Sequence, residues 1–423
     1  MNFFFLLAFL FVSLCSCEVI WKHTETAAVY EDVRYVKPHN ILAATKSNPP
    51  PTAQYFDVDS PTPEWSLGNK PPANLEINTD SAASRAGDRV AVAVGSYNIN
   101  DPYEQYANLT LYKIEDGKEP KARWSFQVPG YCEVWTNDAV AFGGHDDSLL
   151  LFFVTRIVNN VRQPRLYLFH VASSSPLYHH DFVSTEVSED MEVSLDGSFA
   201  LLNTGKNLYI FDIVNKAILF HDIVSKKTTP MYMSISDDCR TAIYGYEIAH
   251  VMKKEGNTFK SVQNITNPGF VLTQAIISKD NHYLYVGWVD FRSSFIRIDI
   301  YELFATKPVY SYRTPQKLGK YQNWVSALKV SDDGRWAIVG CAGNTKGLHA
   351  PTVLVLEKQM GFVYNYTTQG TVFSIDLLYD SQMTDYLKFV TAGGTHHHDE
   401  NKKGGEIVQF RYVNENRNKK QKK

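Results

Sequence analysis

The densest run of side chains able to ligate a metal or move a proton is His396-His397-His398-Asp399-Glu400, set between Gly393-Gly394 and Gly404-Gly405. Neutral imidazole and carboxylate are competent ligands for zinc or copper. His396, His398 and Asp399 are therefore candidate ligands, and a metal ion is the single cofactor the chain suggests. Adjacent histidines on an extended loop point different ways, so at most two reach one ion without help from Asp399, Glu400 or His349. The competing reading is a solvated polar loop. His179-His180-Asp181 and His221-Asp222 fall at equivalent places in a repeat, which argues for structure rather than chemistry. His145-Asp146-Asp147 reads as a tight turn in which Asp stabilises the turn itself.

Templates for catalysis are missing. There is no Gly-x-Ser-x-Gly elbow, no glycine-rich phosphate loop and no His-Glu-x-x-His pair. That weighs little against an enzyme if the fold gathers residues from distant segments. The thiols offer no Cys-x-x-Cys spacing. Beyond an amino-terminal leader only Cys132, Cys239 and Cys341 remain, an odd number that reads as small buried thiols.

The leader is Met1 to Cys17, apolar from Phe3 through Leu14 and closing on small residues, the pattern of a secretory signal peptide. The expected address is the secretory lumen or the extracellular space. Leu14-Cys15-Ser16-Cys17 also resembles a lipoprotein box, which would anchor the chain through a lipid on Cys17. No other apolar run approaches a membrane span. Sequons at Asn108, Asn264 and Asn365 permit glycosylation. With 42 basic and 45 acidic residues the net charge is −3, so nothing draws the whole molecule to nucleic acid. Residues 413–423 are a basic, solvated tail.

What must position these groups is β-structure. From about residue 74, short Val/Ile/Tyr/Phe-rich segments alternate with turn residues. A strand ending in Ser, then an acidic tight turn, recurs at Ser194-Leu195-Asp196-Gly197, Ser236-Asp237-Asp238-Cys239, Ser278-Lys279-Asp280-Asn281 and Ser331-Asp332-Asp333-Gly334. An aromatic outer strand closes each unit, as in Arg123-Trp124-Ser125-Phe126 and Pro308-Val309-Tyr310-Ser311-Tyr312. A period of about 40 to 50 residues with four strands per unit is that of a propeller blade.

The units give an all-β, seven-bladed β-propeller over residues 63–412, with blades at 74–129, 138–183, 190–225, 230–265, 270–315, 324–368 and 371–412. The last blade lacks a strand. Pro63-Glu64-Trp65-Ser66-Leu67 matches the outer-strand pattern, so the ring is expected to close by pairing that amino-terminal strand with the carboxyl-terminal blade. Residues 18–62 become an irregular, proline-containing lead-in. On the Ser-x-Asp-Gly turn and the aromatic outer strand, the chain resembles the seven-bladed propeller superfamily near the WD-repeat and quinoprotein-like groups. It lacks the Gly-His opening and Trp-Asp closing pairs of true WD repeats. The resemblance implies a rigid disc with loop-built surfaces, a scaffold that hosts binding modules and enzymes alike.

In a four-stranded blade the second-to-third loop and the link to the next blade share one face. The long connections fall there: Tyr97–Ala107, Val158–Arg165, Val289–Ser294, Asn344–Pro351 and Thr395–Gly405, with links Pro129–Asn137, Ser184–Asp190 and Gln316–Trp324. Tyr103, Tyr106, Tyr131, Trp135, Asp290, Arg292, Trp324 and His349 are the candidate contacts, because stiff aromatics give contact area at low entropic cost. The expectation is a monomeric, non-enzymatic binding module for a protein or glycan ligand. The alternative is a hydrolase, lactonase or oxidoreductase with a metal at the channel mouth.

Overall fold

The computed structural model describes residues 15–25, 28–36, 40–47, 53–67, 76–97, 106–115, 118–133, 138–182, 187–223, 232–290, 295–314, 325–342, 351–368, 370–379, 386–394 and 404–414. They form eight antiparallel sheets, numbered here as blades I to VIII, so the blade count exceeds the expected seven by one.

Blade I holds β2 (Ala28–Tyr35), β3 (Asn40–Ser47), β4 (Ala53–Asp57) and β5 (Pro63–Leu67); blade II holds β6 (Glu76–Ala83), β7 (Arg89–Tyr97), β8 (Ala107–Lys113) and β9 (Lys121–Gln127). In blade III, β10 (Tyr131–Glu133) and β11 (Val140–Gly143) both pair with β12 (Leu149–Val158), followed by β13 (Val161–His170) and β14 (Pro176–Asp181). Blade IV is β15 (Asp190–Val193), β16 (Phe199–Asn203), β17 (Asn207–Asp212) and β18 (Ala217–Ile223). Blade V is β19 (Tyr232–Ile235), β20 (Thr241–Gly245), β21 (Ile248–Glu255) and β22 (Thr258–Thr266). Blade VI is β23 (Val271–Ile277), β24 (Tyr283–Asp290), β25 (Phe295–Glu302) and β26 (Tyr310–Arg313), and blade VII is β27 (Val325–Val330), β28 (Trp336–Cys341), β29 (Val353–Glu357) and β30 (Gly361–Tyr366). Blade VIII runs β31 (Thr371–Tyr379), β32 (Tyr386–Gly394), β33 (Gly405–Asn414) and, outermost, β1 (Cys15–Glu25).

Three sequence expectations are corrected here. Residues 28–67 are a complete blade, not a lead-in: their first turn lacks the Ser-x-Asp signature, so the repeat did not stand out. Trp65 lies on the outer strand of that blade, opposite Tyr55. It is β1 that pairs with β33, from Cys15↔Asn414 to Glu25↔Gly405. Residues 1–14 of the expected leader lie outside the described residues, and cleavage near Glu18 would remove the first three pairs of β1.

The core is a ring of junctions. Eight clusters of buried apolar side chains lie between neighbouring blades, for example Trp336, Phe389, Phe410 and Tyr412 between blades VII and VIII. Each blade therefore buries both faces against its neighbours, which is why strands such as Phe199–Asn203 and Trp336–Cys341 are buried throughout rather than alternating. The outer strands alternate, as β9 and β18 show, because one of their faces meets water. Each inner strand touches the next around the axis, and β31 touches β2.

The Ser-x-Asp turns join first and second strands. In blade IV, Ser194 Oγ donates to Asp196 Oδ1 at 2.8 Å while Phe199 N–H donates to Ser194 Oγ at 3.0 Å. The fourth turn position is left-handed at Gly197, Cys239, Asn281 and Gly334. Gly197 is also a close approach: a Cβ there would sit 2.2 Å from the Gly144 nitrogen of blade III. Arg85 binds across the same three turns, donating to Asp147, Gly144 O and Leu195 O.

Candidate functional site

The inner strands carry a feature the sequence reading passed over. Six carboxylates from blades I, II, III, IV and VIII face one another at the hub: Asp32 on β2, Asp80 on β6, Asp138 just before β11, Asp190 and Glu192 on β15, and Asp376 on β31. Two cations answer them, Arg34 from blade I and Lys329 from blade VII.

Arg34 is the organising cation. Its Nε donates to Asp32 Oδ2 at 2.9 Å and its Nη2 to Asp138 Oδ1 at 2.9 Å, which ties blade I to blade III across the hub. Desolvation alone would lower its pKa, but the charges of Asp32, Asp138, Asp80 and Asp376 outweigh it and hold the guanidinium firmly protonated. Asp32 also accepts from Ser81 Oγ and Ser374 Oγ, each at 3.0 Å, linking blades II and VIII to blade I.

Asp80 is fully buried; its Oδ2 accepts the Val140 N–H at 2.7 Å, while Oδ1 has no hydrogen-bonding partner among the described residues. Burial, with the nearby Asp32 charge, pushes its carboxyl well above the usual range. Asp138 and Asp190 hydrogen-bond to each other, so one holds a proton for the other. Desolvation raises both, and the charges of Asp138 and Glu192 add to the rise at Asp190. The side chain of Asp138 nonetheless keeps 45% exposure, so protein encloses this group while water reaches it along the axis. Glu192 Oε1 accepts from Ile235 N–H and Ser234 Oγ, both at 3.2 Å, and burial lifts its carboxyl to about 7. Tyr232 faces Asp190 with its phenol pushed upward, first by burial and then by that charge.

Asp138 stands between the two strands, β10 and β11, that both pair with β12 in blade III. β10 ends with Glu133 opposite Thr155, and β11 opens with Val140 opposite Phe152, two residues after Asp138. Chemically, the arrangement can hold a cation through charge-assisted hydrogen bonds, and it can store and pass a proton between Asp138 and Asp190. Among the described residues no group of three or more His, Cys, Asp or Glu is arranged to hold a metal ion.

Of the residues singled out by sequence, Tyr103, Trp135, Arg292, Trp324, His349, His396, His398 and Asp399 lie outside the described residues. Tyr106 is half-buried immediately before β8, its phenol pushed up to about 12 by burial. Tyr131 opens β10 and Asp290 closes β24, so these three stand at strand ends on the same face. Two connections differ from expectation. Val158 pairs directly with Val161, so Val158–Arg165 is a two-residue turn at Asn159-Asn160, both left-handed, and not a long loop. Residues 131–133 join a sheet rather than a link.

Asn264 and Asn365 are exposed on the outer strands β22 and β30, while Asn108 is half-buried on β8 between two partners. Tyr209 stacks on His221 at 4.5 Å and Tyr167 packs on His179, a repeated cross-strand pair. Cys132, Cys239 and Cys341 are buried thiols. Among the described residues no helix is long and apolar enough to cross a membrane.

The hub acids had a legible signal. Thr79-Asp80-Ser81 and Asp190-Met191-Glu192 put carboxylates on strands whose neighbours demand apolar residues, and such a breach is what a functional or bridging group looks like. Comparison with family models and with curated proteins finds no match for this chain.

Proposed function

We propose that the protein is a non-enzymatic binding module of the secretory pathway or extracellular space, which presents one face of its eight-bladed disc to a protein or glycan. The observation that carries this reading is an asymmetry of connections. First-to-second connections hold four to six residues in every blade, from 36–39 to 380–385. Second-to-third connections run from two residues, at 159–160 and 246–247, to eleven, at 342–352. Uniform turns on one face and variable ones on the other are what a rigid frame with one adaptable surface requires. On this reading the ligand meets Tyr106, Tyr131 and Asp290 at strand ends of that face, together with Tyr103, Trp135, Arg292, Trp324 and His349, which lie outside the described residues.

Cys17 bears on the lipid-anchored alternative, and its place in β1 requires any leader to be cut ahead of that strand rather than near Glu18. Its thiol packs beside the apolar cluster between blades VII and VIII and hydrogen-bonds with Tyr364, which favours a strand position over a lipid-bearing terminus.

The test has two arms. The full chain expressed in a secreting cell line should reach the medium, with glycan at Asn264 and Asn365. Retention in the cytosol overturns the address. Purified protein, screened on glycan arrays and against extracellular proteins, should give a ligand whose affinity drops at least about tenfold in a Tyr106→Ala, Trp135→Ala, Trp324→Ala triple variant. A ligand indifferent to those changes, yet sensitive to turns of the opposite face, overturns the assignment of the face.

A further inference from the structure

We infer that the hub is a binding site for a linear polyamine, held by Asp80, Asp138, Asp190 and Glu192. Four observations lead there. The first is an excess of acid: among the described residues six carboxyl groups stand against two cations, part of that excess is held as protons that an incoming ammonium can displace, and Arg34 already occupies the side bounded by Asp32 and Asp376. The side bounded by Asp190 and Glu192 is answered by Lys329 alone, which reaches across from blade VII.

The second is Asp80. Its Oδ1 is enclosed and accepts no hydrogen bond among the described residues, and the carboxyl group feels the charges of Asp32, Arg34 and Asp138. A buried acceptor without a donor is costly, and an ammonium group supplies the donor. The third is access: the Asp138 side chain, just before β11, keeps 45% exposure to water. The fourth is shape. Asp190 and Glu192 lie on one face of β15, two residues and so about 7 Å apart, a separation spanned by a few methylenes. The acids come from several inner strands and do not converge as metal ligands. Charge spread along a flexible chain fits this geometry better than a point charge. Arg34 is the precedent within the molecule, a cation on an alkyl stem held by two carboxylates at 2.9 Å each.

This inference does not depend on the loop-face reading, and its test leaves that face untouched. Spermine is titrated calorimetrically into the full protein at about pH 7.5 and about 0.15 M salt, where exposed charges are largely screened. Saturable binding of one spermine per chain is expected. Asp190→Asn and Glu192→Gln, each close in shape to the native side chain, should weaken it at least tenfold with the circular dichroism spectrum unchanged. Asp332→Asn, which removes an exposed carboxylate from the turn face, should leave it unaltered. Heat that persists in both hub variants, or that falls equally in Asp332→Asn, shows diffuse surface attraction and overturns the site. Tight calcium binding that spermine cannot displace overturns it in favour of a metal.

Discussion

Replacing Glu192 with Gln isolates the cost of charge at the hub. Glutamine keeps an acceptor oxygen for the Ile235 and Ser234 donors, each at 3.2 Å, and removes the titration. The folded carboxyl is raised from 4.5 to about 7, so the native state holds this proton more tightly than the unfolded chain does. Its stabilising contribution is complete below about pH 4.5 and is lost as pH rises through about 7. A displacement of that size corresponds to at most about 3 kcal/mol. Glu192 is only half-buried and water enters along the axis, so screening reduces the figure to about 1–2 kcal/mol. Relative to the native protein, the Gln variant should therefore gain about 1–2 kcal/mol between pH 5 and pH 8. Urea unfolding of both proteins at several pH values across that range measures the difference directly. A gap that stays flat with pH, or that favours Glu192 more strongly at pH 8, refutes the argument that its charge is unfavourable in the ring.

Other substitutions probe how the ring is held. Gly197→Ala places a methyl 2.2 Å from Gly144 N at positive φ and should cost about 3–5 kcal/mol, while Gly130→Ala, also at positive φ but with nothing within 4 Å, should cost about 1 kcal/mol; equal losses in thermal unfolding would mean that backbone strain alone matters. Trp21→Ala removes a nearly buried ring whose Nε1–H donates to Val58 O at 2.7 Å, and it should cost about 3–5 kcal/mol in denaturant, with a change below about 1 kcal/mol showing that β1 contributes little to blade VIII. Cys132, Cys239 and Cys341 should resist an aromatic disulfide reagent in the native protein and react together on unfolding; rapid native labelling of any one would contradict its burial.

The blade pattern was legible where turn chemistry repeats. Ser194, Ser236, Ser278 and Ser331 each announce a first-to-second turn, and each turn is found. Blade I escaped because its connection at 36–39 has no Ser-x-Asp and because the proline run at 49–51 suggested an irregular segment. Trp65 was read correctly as an outer-strand residue and assigned to the wrong sheet: pattern reports which role a strand plays, whereas its partner is fixed by how many blades precede it. The two-residue turn at Asn159-Asn160 was hidden by the long, polar-flanked strand pair around it. The hub escaped for a different reason, since its residues converge from inner strands as far apart as β2 and β31, and no local window contains that proximity.

Not all of the hub acids serve one purpose. Asp80 accepts the Val140 N–H, Glu192 the Ile235 N–H and Asp376 the Tyr35 N–H, so each ties its blade to the inner strand of the next. Removing such a group would strand a backbone donor, and that is sufficient reason for an acid to occupy an apolar strand. Asp138 and Asp190 differ: among the described residues their side-chain bonds run to Arg34, to each other and, from Asp190, to the Met191 N–H of its own strand, rather than to a neighbouring inner strand's backbone. Two carboxyl groups sharing a proton where water reaches them add little to cohesion between blades. Apolar junctions all round the ring already provide that cohesion, so the axis is free to carry charge. The pair therefore separates the two roles experimentally. Substituting Asp80 should loosen the ring, and substituting Asp190 should leave it intact while altering what the hub can bind.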